Sequence, residues 1–357
     1  MSKISFLAQF PPPIHGLSKA VDTLYKSELK DKYSFEKIDI SDNKKFFKTI
    51  LSILTSKAKL FYFTISQTKG GNIRDLLFLK LIQLKKKKCI VHLHGGYYRE
   101  LIEDSVPVLQ KRLNYKLMSK VDAGIVLSPS LKPIFGNLLD DKRIFIVPNC
   151  VDDEFVLEAN KLSNKFDADS LNVLYLSNFI ESKGYREVLE LARLAKENQD
   201  LIIFHFAGKF YSEQDEIYFK SFIKDYDLHN YVNYHGIVSG KEKANLLSEC
   251  HVFILLTRYP NEGQPISILE AMANAQVIIT TNHAGIPDII TDHNGFVANK
   301  NNIKLNEVYS FLLKLKDDKN LLIGFGQTNY ELAKRLYTQQ NYIQNMDNVF
   351  SKVISYE

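Results

Sequence analysis

The chain has 357 residues, more than one ordinary core accommodates and enough for two domains. With 45% hydrophobic and 24% charged residues, its composition excludes the disordered and low-complexity classes. A net charge of +5 suits acidic partners such as nucleotides, phospholipid headgroups or polyprenyl phosphates, and is too slight to point to nucleic acid.

The opening stretch MSKISFLAQFPPP carries only a short apolar run before its prolines, so it reads as a first strand rather than a secretory signal. Short β-rich runs then alternate with helical patterns. In the first half, strands are expected at 3–10, 35–40, 59–65, 89–94, 123–128 and 143–148. Helices are expected from Leu17 to about Tyr33, over 72–88 and over 107–120. In the second half, strands are expected at 172–177, 201–208, 232–236, 252–256, 276–281 and 295–298. Continuous apolar runs of this kind suit parallel strands buried on both faces. The fold class that follows is α/β, with two Rossmann-like, doubly wound domains. The polar stretch EANKLSNKFDADS reads as a linker, which sets the domains at 1–165 and 166–335, with a last helix over 336–357. No run of about 18 apolar residues is present, so no bilayer-spanning helix is expected. Cys89, Cys150 and Cys250 are scattered without a CxxC pair, which indicates neither a zinc site nor a disulfide framework and fits a reducing compartment.

The densest chemistry lies in NEGQPISILEAMANA, residues 261–275. Pro265 suits a first helical position, and Ile266, Leu269, Met272 and Ala273 form an apolar helical stripe. Glu262 then falls in the loop before the helix and Glu270 inside it. Helix starts after parallel strands bind oxyanions, and carboxylates beside them accept hydrogen bonds from sugar hydroxyls. A blander reading makes Glu262 a dipole-complementing acid and Glu270 a solvated one.

The longer pattern E-G-x-P-x-S-x-L-E-A-M-A, followed by a strand and G-I-P-D-I-I-x-D-x-x-N-G-F-V, resembles the donor-site signature of retaining family 4 glycosyltransferases, two-domain enzymes of the GT-B type that include bacterial surface-polysaccharide enzymes. The resemblance implies two domains facing a cleft, with the acceptor on the N-terminal domain, a nucleotide-sugar (a UDP-sugar in this reading) on the C-terminal one, and the last helix returning to the N-terminal domain. It implies that Glu262 meets hydroxyls of the transferred sugar and Glu270 the ribose. Backbone N–H groups around Gly263, Gln264 and Ile266 would face the sugar and diphosphate. Lys183, in LYLSNFIESKGYREVLE, matches the lysine that neutralises the leaving diphosphate. The arginine usual five residues earlier is replaced by Asn178, which weakens leaving-group stabilisation unless Arg258 or another cation compensates. Gly16, after His15, matches one of two glycines lining the phosphate site, and His94 of VHLHGG matches a histidine near the transferred sugar. The expected catalytic residues are therefore Glu262, Lys183 and His94. The expected donor-binding residues are Glu270, Gly263, Gln264, Ile266, Asn178, Arg258 and Gly16.

No metal or other cofactor is expected. His92 and His94 have no third ligand at useful spacing, and Asp167-Ala-Asp169 lies in the polar stretch as solvated charge. Lys111, Arg112, Lys116 and Lys120 fall near one helical face, with Leu109, Leu113 and Leu117 elsewhere, and suit an anionic membrane surface. The resemblance implies a glycan or polyprenyl-linked acceptor in polysaccharide biosynthesis, and a cytoplasmic place at the inner face of the plasma membrane. Two alternatives stay open: a nucleotide-sugar epimerase of the same architecture, and a non-catalytic nucleotide-binding subunit of a polysaccharide-assembly complex.

Overall fold

The structure, a computed structural model, describes residues 1–12, 16–162 and 165–355. It contains two six-stranded, wholly parallel sheets. The first holds β1 (Ser2–Ala8), β2 (Tyr33–Asp39), β3 (Leu60–Thr64), β4 (Lys88–His92), β5 (Ala123–Val126) and β6 (Ile144–Ile146), in the spatial order β2-β1-β3-β4-β5-β6. Its helices are α1 (Gly16–Lys26), α2 (Phe46–Thr55), α3 (Lys69–Leu84) and α4 (Val108–Met118). The second holds β7 (Leu171–Leu176), β8 (Ile202–Ala207), β9 (Val232–Tyr234), β10 (Val252–Leu255), β11 (Val277–Thr281) and β12 (Gly295–Ala298), in the order β12-β11-β10-β7-β8-β9. Its helices are α5 (Tyr185–Glu197), α6 (Glu213–Asp225), α7 (Gly240–Glu249), α8 (Ile266–Met272), α9 (Leu305–Asp317) and α10 (Lys319–Leu336).

Every expected strand is present, shifted by two residues or fewer at its start. β3 and β10 are buried throughout, as apolar runs covered on both faces must be. The helix expected from Leu17 to Tyr33 ends at Lys26, because Ser27 caps a short 3-10 turn and Tyr33 already opens β2.

The chain divides into two compact units: Met1–Cys150 with Pro260–Gln264 and Gln339–Glu357, and Val151–Tyr259 with Pro265–Thr338. The division falls at Cys150–Val151, upstream of the polar stretch expected to be the linker. That stretch contributes to the second core: its Phe166 is buried there, beside Phe155 and Leu157 from just upstream. The buried Lys165 directs its ammonium to the carbonyls of Leu247, Ser248 and Cys250 at the end of α7, where a cation complements the helix dipole. The last helix, α11 (Gln339–Ser355), packs Tyr342, Met346, Val349 and Phe350 into the first core beside Phe6 and Tyr62. Asp347 of α11 also accepts from Lys32 Nζ at 2.7 Å and Tyr33 Oη at 2.8 Å.

Pro260–Gln264 joins the first unit through close backbone packing. A Cβ on Gly263 would stand 2.5 Å from the His94 carbonyl oxygen, and one on Gly95 would stand 2.6 Å from that of Asn261. Gln264 locks the segment: its Oε1 accepts from Asn149 N at 2.7 Å, and its own carbonyl accepts from Asn149 Nδ2 at 2.9 Å. Gly263→Ala therefore has to displace backbone rather than a flexible side chain. It should lower unfolding free energy by about 1–3 kcal/mol, read by urea denaturation, as overpacking elsewhere does. An unchanged midpoint would show that the loop yields freely.

Candidate active site

Parallel strands present all their carboxyl ends on one edge, and a doubly wound sheet opens a crevice there where strand order reverses. In the second unit that point lies between β7 and β10, neighbours in space that β8 and β9 separate in sequence. The loops leaving these two strands carry Asn178 and Lys183 on one side and Arg258 and Tyr259 on the other.

Lys183 ends a 3-10 turn at Glu181–Lys183. Gly184 follows with φ +83°, and a Cβ there would stand 2.6 Å from the Leu256 carbonyl oxygen. Only glycine suits that left-handed, crowded position. Arg258 N donates to Ser182 O at 2.7 Å, which ties the two loops together. The Lys183 ammonium sits 5.0 Å from the centre of the Tyr259 ring. Asn178 is exposed, and its carbonyl accepts from the Tyr175 hydroxyl at 3.0 Å. Arg258 pairs with Glu187 in the first turn of α5 at 2.5 Å. That pair has no net charge.

Glu270 lies on α8, which starts directly after Pro265. Its carboxylate is nearly buried and pairs with Lys243 of α7 at 2.6 Å, and the same ammonium stands 4.1 Å from the centre of the Phe155 ring. Sequence reasoning missed Lys243: nothing in GKEKANLLSE marks one lysine over another, and the pair spans 27 residues. Asn274 then ties the end of α8 down, donating to the carbonyls of Phe155 and Glu270.

The first unit carries the remaining candidates. Its own reversal point lies between β1 and β3, and Gly16 opens α1 on the segment leaving β1. His15 lies outside the described residues. His94 follows β4, half-buried, with its ring centre 3.9 Å from that of His92. His92 is fully buried and bonds the Tyr62 hydroxyl through Nδ1 at 2.7 Å. Burial, and then the neighbouring His94, hold the His92 imidazole well below its usual basicity, so it is a neutral core residue. Glu262 is nearly buried in the segment docked on His94 and Gly95. The Gln264 side chain is already spent on Asn149 and the Leu127 carbonyl, which leaves only its backbone for a ligand. The structure thus groups Lys183, Asn178, Arg258, Ile266 and Glu270 in the second unit, and His94, Gly16, Glu262, Gly263 and Gln264 in the first.

The basic helix α4 is arranged differently from expectation. Gln110, Asn114, Leu117 and Met118 form its buried face. Gln110 and Asn114 both donate to Asn72 Oδ1, at 2.8 and 2.9 Å. Leu109 and Leu113 are therefore exposed on the same side as Arg112 and Lys116, not apart from them, and Lys111 is ion-paired with Glu103. Asp167 pairs with Lys319 at the surface, and no cluster of three metal-ligating side chains occurs among the described residues.

Residues 158–324 match the family described as glycosyl transferases group 1. An uncharacterised glycosyltransferase of Methanocaldococcus jannaschii is 22% identical over 296 residues, which cover 80% of this chain and 73% of that protein. The amylovoran biosynthesis glycosyltransferase AmsK of Erwinia amylovora is 30% identical over 128 residues, 35% of this chain and 30% of that protein. In structure, the chain is similar to HepE of Anabaena in complex with UDP, with TM-score 0.77 and 14% identity over 99% of this chain and 100% of that one. The same HepE in complex with UDP-glucose gives TM-score 0.76 at the same coverage. Residues 158–324 are thus similar to glycosyl transferases group 1, and the chain has a GT-B fold of two Rossmann-like units.

Proposed function

We propose that the protein transfers a sugar from a nucleotide-sugar, a UDP-sugar in this reading, to a hydroxyl of a glycan or lipid-linked glycan in polysaccharide biosynthesis. One observation carries the reading: Lys183 and Glu270 stand on elements that leave β7 and β10, the strands between which the second sheet reverses its order. The names of the relatives support it, AmsK through amylovoran biosynthesis and HepE through its UDP and UDP-glucose complexes.

The reaction is a retaining, metal-independent transfer. The bond between the anomeric carbon and the diphosphate oxygen breaks, the acceptor oxygen bonds the same face of that carbon, and the acceptor proton passes to the leaving phosphate. The chief requirement is to stabilise negative charge as it develops on the diphosphate. Lys183 serves this with the backbone N–H groups at Gly263 and Ile266, and Asn178 donates without charge. Glu270 accepts from the ribose hydroxyls, and Lys243 holds that carboxylate in place. Glu262 and His94 hold hydroxyls of the transferred sugar, and Gly16 admits the phosphates close to backbone.

The acceptor side of the reading rests on three adjoining helices. α2 packs beside α3, and α3 beside α4. Their outer surface exposes Phe47 (82%), Leu51, Ile73 (59%), Leu77, Leu109 (70%) and Leu113. Lys48, Lys80, Arg112 and Lys116 are interleaved with them, and among the described residues of these helices the sole acid is Asp75, which is buried. Like charge disfavours a second copy of this surface, whereas apolar residues among cations suit an anionic bilayer. No helix among the described residues is long and apolar enough to cross a membrane. The fit is to peripheral contact at the inner face of the plasma membrane.

Calorimetry tests the donor site. The wild type should bind UDP at micromolar Kd, and Glu270→Ala should lose about 1.5–3 kcal/mol, roughly tenfold or more. A folded wild type that ignores UDP removes the UDP assignment. Sedimentation with vesicles tests the membrane face. Binding to phosphatidylglycerol vesicles should weaken by about 2 kcal/mol in Arg112→Ala/Lys116→Ala, at roughly 1 kcal/mol per charge, and fade as salt rises. Equal binding to neutral phosphatidylcholine vesicles rejects it.

A further inference from the structure

Two arginines stand on the elements that leave β7 and β10, and the structure uses them differently. Arg186, in the first turn of α5, lies over the Tyr218 ring at 4.3 Å, pairs with Glu181 at 3.3 Å and meets the Tyr185 hydroxyl at 3.3 Å. Its plane and its charge are both engaged. Arg258, in the loop after β10, makes a single side-chain bond among the described residues: Nη1 donates to Glu187 Oε1 at 2.5 Å. Its backbone is fixed separately, because Arg258 N donates to Ser182 O at 2.7 Å, directly beside Lys183.

Arginine and carboxylate favour two parallel N–H···O bonds. This pair meets at one corner only. Glu187 Oε2 is buried and has no partner within the protein, so the second bond of the fork is not formed. A guanidinium has five N–H donors and no acceptor. With Nη1 engaged, the Nε–Nη2 edge of Arg258 has no partner among the described residues, and 36% of the side chain is exposed. That edge matches two oxygens of one phosphate. A purely structural tie between α5 and the β10 loop gains from the second bond and from burial of the guanidinium, and this pair has neither.

From this we infer that Glu187 is a positioning residue for Arg258: it holds the guanidinium by its Nη1 corner, and the Nε–Nη2 edge donates to the terminal phosphate of a nucleoside diphosphate. The inference rests on the donor site proposed above. An arginine free to move loses rotamer entropy on meeting a phosphate, and a corner already held lowers that loss. The pair adds directed donors rather than net charge, and it adds them from the loop neighbouring the one in which Asn178 replaces an arginine.

The test is calorimetry on the full chain with UDP and with UMP, which lacks the terminal phosphate. Arg258→Gln should weaken UDP about tenfold or more and leave UMP unchanged. Glu187→Gln removes the charge and keeps the acceptor, whereas Glu187→Ala removes both, so the difference between them isolates positioning. Glu187→Ala should bind UDP about three- to tenfold more weakly than Glu187→Gln, and the two should bind alike in an Arg258→Gln background. If Arg258→Gln weakens UDP but the two Glu187 variants bind alike, the positioning role is wrong. If UDP and UMP weaken together in Arg258→Gln, the pair is merely a structural tie and the inference is overturned. If Arg258→Gln binds UDP as the wild type does while Glu270→Ala loses it, the donor site stands and the inference fails. A wild type that ignores UDP removes the donor reading, and the inference with it.

Discussion

Parallel strand pairing is the constraint on which this structure depends. Each strand must return through a crossover to start again at the same end, so every strand-to-helix loop emerges on one edge. In the second unit this brings residues 183, 259, 283 and 300 into one row, although more than a hundred positions separate the first from the last. An antiparallel sheet of the same residues would alternate its loops between two edges and separate them. Glycine permits the close approach: at Gly184 and Gly263 the loops stand so near neighbouring backbone that a single methyl group has no room.

The charges around that edge follow a second rule. A carboxylate taken out of water costs several kcal/mol unless it is paired and hydrogen-bonded. Glu270 meets this with Lys243, and Glu187 with Arg258. Each pair brings opposite charges together, so neither adds net charge to that edge. The Lys183 ammonium stands 5.0 Å from the centre of the Tyr259 ring, a cation–π contact worth about 0.5–2 kcal/mol.

The first unit shows the same balance of burial and pairing in another form. α4 turns Gln110 and Asn114 inward, which a simple amphipathic rule places outside. The amides are tolerated because Asn72 and the Tyr98 hydroxyl complete their hydrogen bonds. With amides occupying the inner face, Leu109 and Leu113 have only the outer one, beside the cations. α2 and α3 continue that surface, so its extent belongs to the packing of three helices and not to any one of them.

By itself the sequence determined the strand pattern, because apolar runs of four to eight residues report burial on both faces wherever the chain folds. It also determined the signature around Glu262 and Glu270, because a helix start after a buried strand is a local arrangement set by Pro265 and the stripe behind it. Tertiary structure decided what pairs with what. Lys243 and Glu270 are 27 residues apart, and Arg258 and Glu187 are 71 apart, with no periodicity linking them. It decided the unit boundary as well: a polar stretch can still supply Phe166 to a core that also holds Phe155 and Leu157 from just upstream, which hydropathy averaged over neighbours hides. Pro260–Gln264 went to the first unit for the same kind of reason. Its affiliation depends on a glycine-to-backbone fit at His94 and Gly95, a matter of shape between distant segments that no local pattern records.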